Sequence, residues 1–299
     1  MRGATGVQCS PEMKSSWTNR SSTQSPARAL RFTTATAIAL SLLSIPASGQ
    51  TRATQPASTY KAPRTADGHP DLNGIWQVLN TANWDLQGHA AGPGLLFQLG
   101  AIGAVPPGLG VVEGEEIPYL PAAAAKKKEN FANRLTLDPE IKCFLPGVPR
   151  ATYMPYPFQI VQSQKYILFS YEFESAIRNV NMEDHKKAPI DSWMGWSNGH
   201  WEGETLVVDV TGLNDETWFD RAGNFHSDAL HVVERYTARS PDTLSYEALI
   251  EDPKVFSRPW KISMLLYHHG EPNAQLLEFK CAEFVEELMY GPLRKKPSK

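Results

Sequence analysis

Four residues in the second half of the chain have the types that proton transfer needs: Asp209, His226, His231 and Glu234. A carboxylate held among apolar side chains has its acidity weakened, because desolvation disfavours the charged form. A histidine titrates near neutrality without help. Together they can take up and return a proton at a bound substrate. Their neighbours are rich in rings and polar groups. The stretch WMGWSNGHWEGETLVVDVTGLNDETWFD places Trp193, Trp196, Trp201 and Trp218 beside His200, Asn214 and Asp220. Indole rings offer flat apolar faces for an aromatic or sugar ring, so these seven are the expected substrate-binding residues. Glu247 is a further carboxylate candidate. The bland alternative holds for each: charged side chains on strands are mostly solvated, and tryptophans mostly fill cores.

Other chemistries leave no comparable trace. His226 and His231 are five residues apart with Asp228 between them, and His268-His269 is an adjacent pair. Neither spacing brings two rings to one side of a strand, so no metal is expected. No Gly-x-Ser-x-Gly elbow is present. The glycine runs Gly92-Pro93-Gly94 and Gly108-Leu109-Gly110 are not followed by the Lys-Ser/Thr of a phosphate-binding loop. No cofactor is expected.

The elements that must position these residues read as strands. Gly74-Ile75-Trp76 opens one. Further β-rich segments are 158–163, 165–172, 175–182, 197–201, 205–211, 229–238, 243–250, 258–268 and 275–280. They are joined by turn formers such as Glu202-Gly203, Ser240-Pro241-Asp242 and Glu251-Asp252-Pro253. Alternation gives each strand an apolar face: Leu206, Val208 and Val210 on one, Leu230, Val232, Glu234 and Tyr236 on another, and Trp260, Ile262, Met264 and Leu266 on a third. The expected fold is mainly β, an antiparallel barrel or a sandwich, with a short C-terminal helix in AEFVEELMYGP. A second helix is expected over 122–134, where alanines and lysines dominate. Residues 83–121, rich in Gly, Ala, Leu and Pro, read as a long insertion that covers something. In the functional reading, His226 stands at a barrel mouth and His231 points inward.

The first 49 residues read as a leader. Arg28 and Arg31 precede the apolar run Ala35 to Ile45, and Ala47-Ser48-Gly49 supplies small residues for cleavage near Gly49. The run is shorter than the roughly 20 residues of a spanning helix, and no later run reaches that length. Residues 50–66 are expected to be a flexible leader and 67–299 a single β-rich domain, placed in the periplasm or secreted. The whole chain carries 29 Lys and Arg against 32 Asp and Glu, a net charge of −3, which grows more negative without the basic leader. That balance excludes nucleic acid as a partner. Past the leader two cysteines remain, Cys143 and Cys281. In an oxidising compartment an even pair points to a disulfide.

The strings RTADGHPDLNGIWQ, CFLPGVPR, WMGWSNGHWEGETLVVDVTGLNDETWFD, HSDALHVVERY and LIEDPKVFSRPW together resemble a family of exported bacterial β-rich proteins. The resemblance spans nearly the whole chain past the leader. It implies export and one β-rich domain and supplies no reaction. Trp196 departs from the pattern, which has Asp there. The Gly-Ile-Trp opening is also similar to the start of calycin barrels such as lipocalins. Two functions follow as expectations. One is cofactor-independent acid–base catalysis, by a lyase, isomerase or hydrolase, on a small apolar aromatic or glycosidic compound. The other is lipocalin-like carriage of a hydrophobic small molecule, which needs the same pocket and no proton-transfer pair. The partner in either case is a small molecule.

Overall fold

A computed structural model describes residues 60–94, 100–101 and 104–293. The leader pattern at Arg28–Gly49 and part of the 83–121 insertion lie outside them. Nine strands close into a barrel: β1 (Gly74–Val78), β2 (Phe158–Gln162), β3 (Tyr166–Tyr171), β4 (Ile177–Asn181), β5 (Trp196–Glu202), β6 (Thr205–Thr211), β7 (His231–Ser240), β8 (Thr243–Glu251) and β9 (Trp260–His268). Neighbours in sequence are neighbours in the barrel, and β1 closes it by pairing with β9 through Trp76↔His268 and Val78↔Leu266. Every pair is antiparallel except β4–β5, which is parallel. The chain from Met182 to Gly195 therefore runs back along the barrel before β5 starts.

The expected barrel is thus present, and the sandwich is not. The expected strand at 275–280 is not a strand, although apolar and polar residues alternate there. Closure explains this. β1 already pairs with β2 on one side and β9 on the other, so no strand edge is left for a tenth to join.

Alternation decides what fills the lumen. Ile160 and Phe169, Val208, Val232 and Glu234, Tyr246 and Ala248, Ile262 and Leu266 are all buried and face inward. The even-numbered face predicted for β6, β7 and β9 is the inner one. Across the two-residue turn Gly203-Glu204 the parity switches, because Glu202 pairs with Thr205. Trp201 therefore lies opposite Leu206 and turns inward, whereas His200 lies opposite Val207 and turns outward. Gly203 has φ +59, a left-handed conformation that suits glycine in a tight hairpin.

The two barrel ends differ. One carries the short turns of β2–β3, β5–β6 and β7–β8, overlaid by residues 60–73 through His69 stacked on Trp201 and Gln162 Nε2 donating to Pro70 O. The other is capped by long segments. Chief among them is 79–157, which holds α1 (Pro121–Ala132), α2 (Arg134–Leu137) and α3 (Arg150–Tyr153). Alanine-rich α1 has proline at its first position, where a missing N–H costs nothing. It covers most of the expected 122–134 span. The cap is tied down by main-chain bonds, Leu120 N to Val255 O at 2.9 Å and Glu113 N to Lys261 O at 2.8 Å. Within the insertion, His89 bridges Gly108 and Gly92 bridges Val105. The expected C-terminal helix is α4 (Val285–Tyr290). Its segment is fastened to the cap by a disulfide between Cys143 and Cys281, with Cα atoms 5.7 Å apart.

Candidate functional site at the capped end of the barrel

Three polar arrays meet the capped end, one in the lumen, one in the cap and one on the outer wall. The lumen array centres on Glu234 of β7, fully buried between Val232 and Tyr236. One carboxylate oxygen, Oε1, accepts from Tyr236 Oη at 2.9 Å and Tyr246 Oη at 2.8 Å. The other accepts from Arg178 Nη2. Arg178 of β4 also donates through Nε to Ser197 Oγ at 2.7 Å and lies 5.4 Å from the Phe169 ring centre. Burial alone would weaken the guanidinium's hold on its proton, but Glu234 more than offsets this and raises the Arg178 pKa further. Burial pushes the Tyr236 and Tyr246 hydroxyls well up, so both remain neutral donors. Beside them sits Tyr171 of β3, raised by burial in turn. It is close enough to Arg178 and Thr152 for both to moderate its acidity. Its hydroxyl is hydrogen-bonded to the Arg178 and Thr152 side chains, which pull the value back down.

The cap array centres on Arg150 of α3, which is 1% exposed. It donates to Asp138 through Nη1 at 2.9 Å and Nη2 at 3.2 Å, to Glu140 Oε2 at 2.6 Å, and through Nε to Asn83 Oδ1 at 2.9 Å. Arg221 grips both Glu140 oxygens at 2.7 Å. Burial would raise the Glu140 pKa, yet Arg150 and Arg221 outweigh it and lower the net value. Next to this cluster, Asp220 accepts four N–H bonds: from Leu86 N at 2.8 Å, Ala222 N at 2.9 Å, Asn224 N at 3.2 Å and Asn224 Nδ2 at 2.6 Å. Full burial, with Asp85 nearby, pushes it up to about 7 against those donors. The two arrays touch through α3, where Thr152 Oγ1 lies 3.4 Å from Tyr236 Oη.

His226 stands in the same cap and is 2% exposed. Its Nδ1 is 2.9 Å from the Ser227 carbonyl, which can only accept, so Nδ1 carries the proton. Nε2 is then free to accept from Thr217 Oγ1 at 2.6 Å. Burial lowers the His226 pKa, which keeps the ring neutral. Ser227 is fixed in turn by Asp252, which accepts from its N–H at 2.6 Å and its hydroxyl at 2.9 Å. A hydroxyl, a base and a group that orients the base are the parts of an activated nucleophile. Sequence reading passed over Thr217. Nothing local in the sequence marks it; in the fold its hydroxyl packs on Gly147, at φ +72, where an added Cβ would lie 2.7 Å from Thr217 Oγ1.

The outer array is His231 of β7, held between Asp209 Oδ2 at 2.8 Å and Glu251 Oε2 at 3.0 Å. The three sit on adjacent strands β6, β7 and β8 and are partly exposed. Burial works against the charged ring, but the two carboxylates outweigh it and raise the His231 pKa.

The four proton-transfer candidates therefore do not share a site. Glu234 faces the lumen, His226 lies in the cap, and His231 and Asp209 face outward. The inward orientation expected for His231 is corrected by strand alternation, since residues 231 and 234 on one strand must take opposite faces. The tryptophans do not form one wall either. Trp193 packs on Phe144 at 5.0 Å, and Trp201 stacks on His69 at 5.1 Å. Trp196 is on the outer face of β5, and Trp218 is buried in the cap with its backbone bridged to Phe225. His200 is exposed beside Glu202 at 3.2 Å. Asn214 shapes a turn by accepting from Glu216 N at 3.4 Å, and Glu247 pairs with Lys261 at 3.4 Å. Of the eleven, Glu234, Asp220, His226 and Trp218 are at the capped end and buried. Among the described residues, one trio with metal-ligand atoms within 4.8 Å is Cys143, Glu174 and Cys281, but its two sulfurs are bonded to each other and are not thiolates. Neither a scan against family models nor a search of curated proteins finds a match for the chain.

Proposed function

We propose that the protein is an exported barrel that binds a small, largely apolar molecule at its capped end. The observation that carries this reading is the Arg178–Glu234–Tyr236–Tyr246 cluster inside the closed lumen. A buried ion pair is no more stable than well-packed apolar residues of the same volume, so stability alone does not account for it. Small-molecule sites are concave and mostly apolar, with a few placed polar groups. The lumen has that composition. The resemblance of Gly74-Ile75-Trp76 to the opening of calycin barrels favours carriage in the lipocalin manner. Export is supported by the leader pattern and by the Cys143–Cys281 bond. No helix among the described residues is long and apolar enough to cross a membrane. The test is a thermal-shift screen of uncharged aromatic and aliphatic compounds. A ligand at a hundredfold excess over its Kd adds about 2.7 kcal/mol, so hits raise Tm by several degrees. A broad set that leaves Tm unmoved would falsify the reading.

A second reading keeps acid–base catalysis, by a lyase, isomerase or hydrolase, on an apolar aromatic or glycosidic compound. The Thr217–His226 contact at 2.6 Å favours it, as does an Asp220 carboxyl near neutrality. It predicts turnover that His226→Ala abolishes. If His226→Ala and Glu234→Ala both leave a measured turnover intact, catalysis by these groups is ruled out.

A further inference from the structure

We infer that Cys143–Cys281 is a thiol–disulfide exchange site whose substrate is a dithiol, and that Glu174 moves the protons of the exchange. The site lies beside the turn after β3, apart from the lumen, and does not depend on the binding reading above.

The turn Phe173–Ser175, between β3 and β4, supplies the geometry. Three consecutive residues at its start meet alternate residues of the C-terminal segment. Glu172 accepts from Leu277 N at 2.8 Å. The Phe173 ring lies 4.9 Å from that of Phe279. A Glu174 carboxylate oxygen lies within 4.8 Å of both Cys143 Sγ and Cys281 Sγ. A two-residue step is the one that returns an extended chain to the same side, so holding 277 and 279 brings 281 to Glu174.

Glu174 gains no hydrogen bond from this placement. Its Oε1 is shut off from water and has no partner. Glu174 also adopts φ 55 and Cys143 φ 59, a left-handed backbone that residues other than glycine rarely take. Such outliers gather at working sites, where the surroundings hold them in place. Burial pushes the Glu174 carboxyl up, and neither Glu172 beside it nor Lys142, Lys280 and Glu283 near the cysteines contributes. A carboxyl that keeps its proton to higher pH than usual therefore stands beside two sulfurs. Cys143, Glu174 and Cys281 are each partly exposed, so a dithiol reaches the bond from solvent.

The exchange runs in two displacements. One thiolate of the dithiol attacks a cysteine sulfur, forming a mixed disulfide as the Cys143–Cys281 bond breaks. The departing sulfur leaves as a thiolate and takes the Glu174 proton. The carboxylate then takes a proton from the second thiol of the dithiol, which attacks the mixed disulfide and closes into a cyclic disulfide. The cysteine released last takes a proton from water, replacing the one that the first thiol gave up. Two electrons and two protons pass from the dithiol to the protein, and Glu174 ends as it began. The C-terminal segment is then free of its covalent tie to the cap.

The test is the rate at which dithiothreitol reduces the full protein, read by alkylating the new thiols and weighing the product. The variant is Glu174→Gln, which keeps the size of the side chain. Attack needs a thiolate, so the variant's rate should climb about tenfold per pH unit. Wild type needs a thiolate and a protonated Glu174 together, and these fractions change in opposite directions. Its rate should therefore vary far less with pH. At about pH 5 wild type is expected to be at least about tenfold faster than the variant, with the gap closing as pH rises. A bystander carboxylate would only repel the thiolate, so a variant as fast as wild type or faster at that pH overturns the inference. A gap of constant size across pH also overturns it, because a change in access alone would give that result. So does a bond that dithiothreitol leaves intact in the native protein.

Discussion

Arg178 and Glu234 are bonded to each other across the barrel lumen, although two strands separate β4 from β7 along the sheet. Both are buried, at 3% and 0% exposure, so neither charge has water to fall back on. Removing one partner strands the other. Glu234→Leu is expected to cost about 3–5 kcal/mol, whereas the double change Arg178→Met with Glu234→Leu recovers most of that loss. Urea unfolding of the two variants decides it. Equal losses in the single and the double would mean that the pair is not coupled.

His231 gives the chain a pH dependence of known sign. Its folded pKa is raised by Asp209 and Glu251 against the opposing effect of burial. A histidine whose folded pKa exceeds its unfolded value contributes stability that is complete below the unfolded pKa, ordinarily about 6.5. That contribution fades as pH rises through the folded value. The ring is a third exposed, so solvent screening limits the effect to about 1 kcal/mol. Wild type should therefore lose its advantage over His231→Gln as pH rises from about 6 to 8. A difference between the two that stays flat with pH would show that the carboxylates do not hold the ring charged.

Much of this was legible in the alternation of single strands. The sequence of β7 sets Val232, Glu234 and Tyr236 on one face, and that face is the lumen. The same rule places His231 and Asp209 outside, but it cannot say which face is inner until the barrel closes. Closure is also what brings Arg178 to Glu234. Fifty-six residues separate them, and nothing local to Arg178 marks it as the partner. The cap was legible only as an insertion. Its ion cluster joins Asn83, Asp138, Glu140, Arg150 and Arg221 from loops and one-turn helices too short to show periodicity, so pattern reading has no purchase there. Thr217 was missed for the same reason, since its hydroxyl matters only because a loop returns His226 to it.

The Cys143–Cys281 bond should account for a large share of stability. It closes a loop with a sequence separation of 138, which the chain-entropy model rates at about 4–5 kcal/mol. The C-terminal segment is also held by Phe284 N to Ile141 O at 2.9 Å and by the Phe279 ring, 4.9 Å from that of Tyr156. Replacing both cysteines by serine should lower the urea midpoint by the corresponding amount and make 275–290 more open to proteolysis. A variant within about 1 kcal/mol of wild type would mean that the disulfide closes a loop already restrained in the unfolded chain.

Gly147 offers the sharpest probe of the Thr217–His226 contact without touching either residue. Its φ of +72 is costly for any side chain, by about 1–2 kcal/mol. An added Cβ would also lie 2.7 Å from Thr217 Oγ1 and 2.9 Å from its Cγ2. Thr217 must then move, and His226 Nε2 loses a hydroxyl that it cannot replace from water, at a further cost of about 1–3 kcal/mol. Gly147→Ala is therefore expected to destabilise by about 2–5 kcal/mol in urea. Thr217→Val, which keeps the shape and removes only the oxygen, should cost the second part alone. The lone buried nitrogen in both variants should shift the His226 ring signals in nuclear magnetic resonance. If Gly147→Ala matches Thr217→Val in stability, the backbone there does not need glycine. If Thr217→Val costs nothing and leaves the ring signals unmoved, the 2.6 Å contact is not a working hydrogen bond.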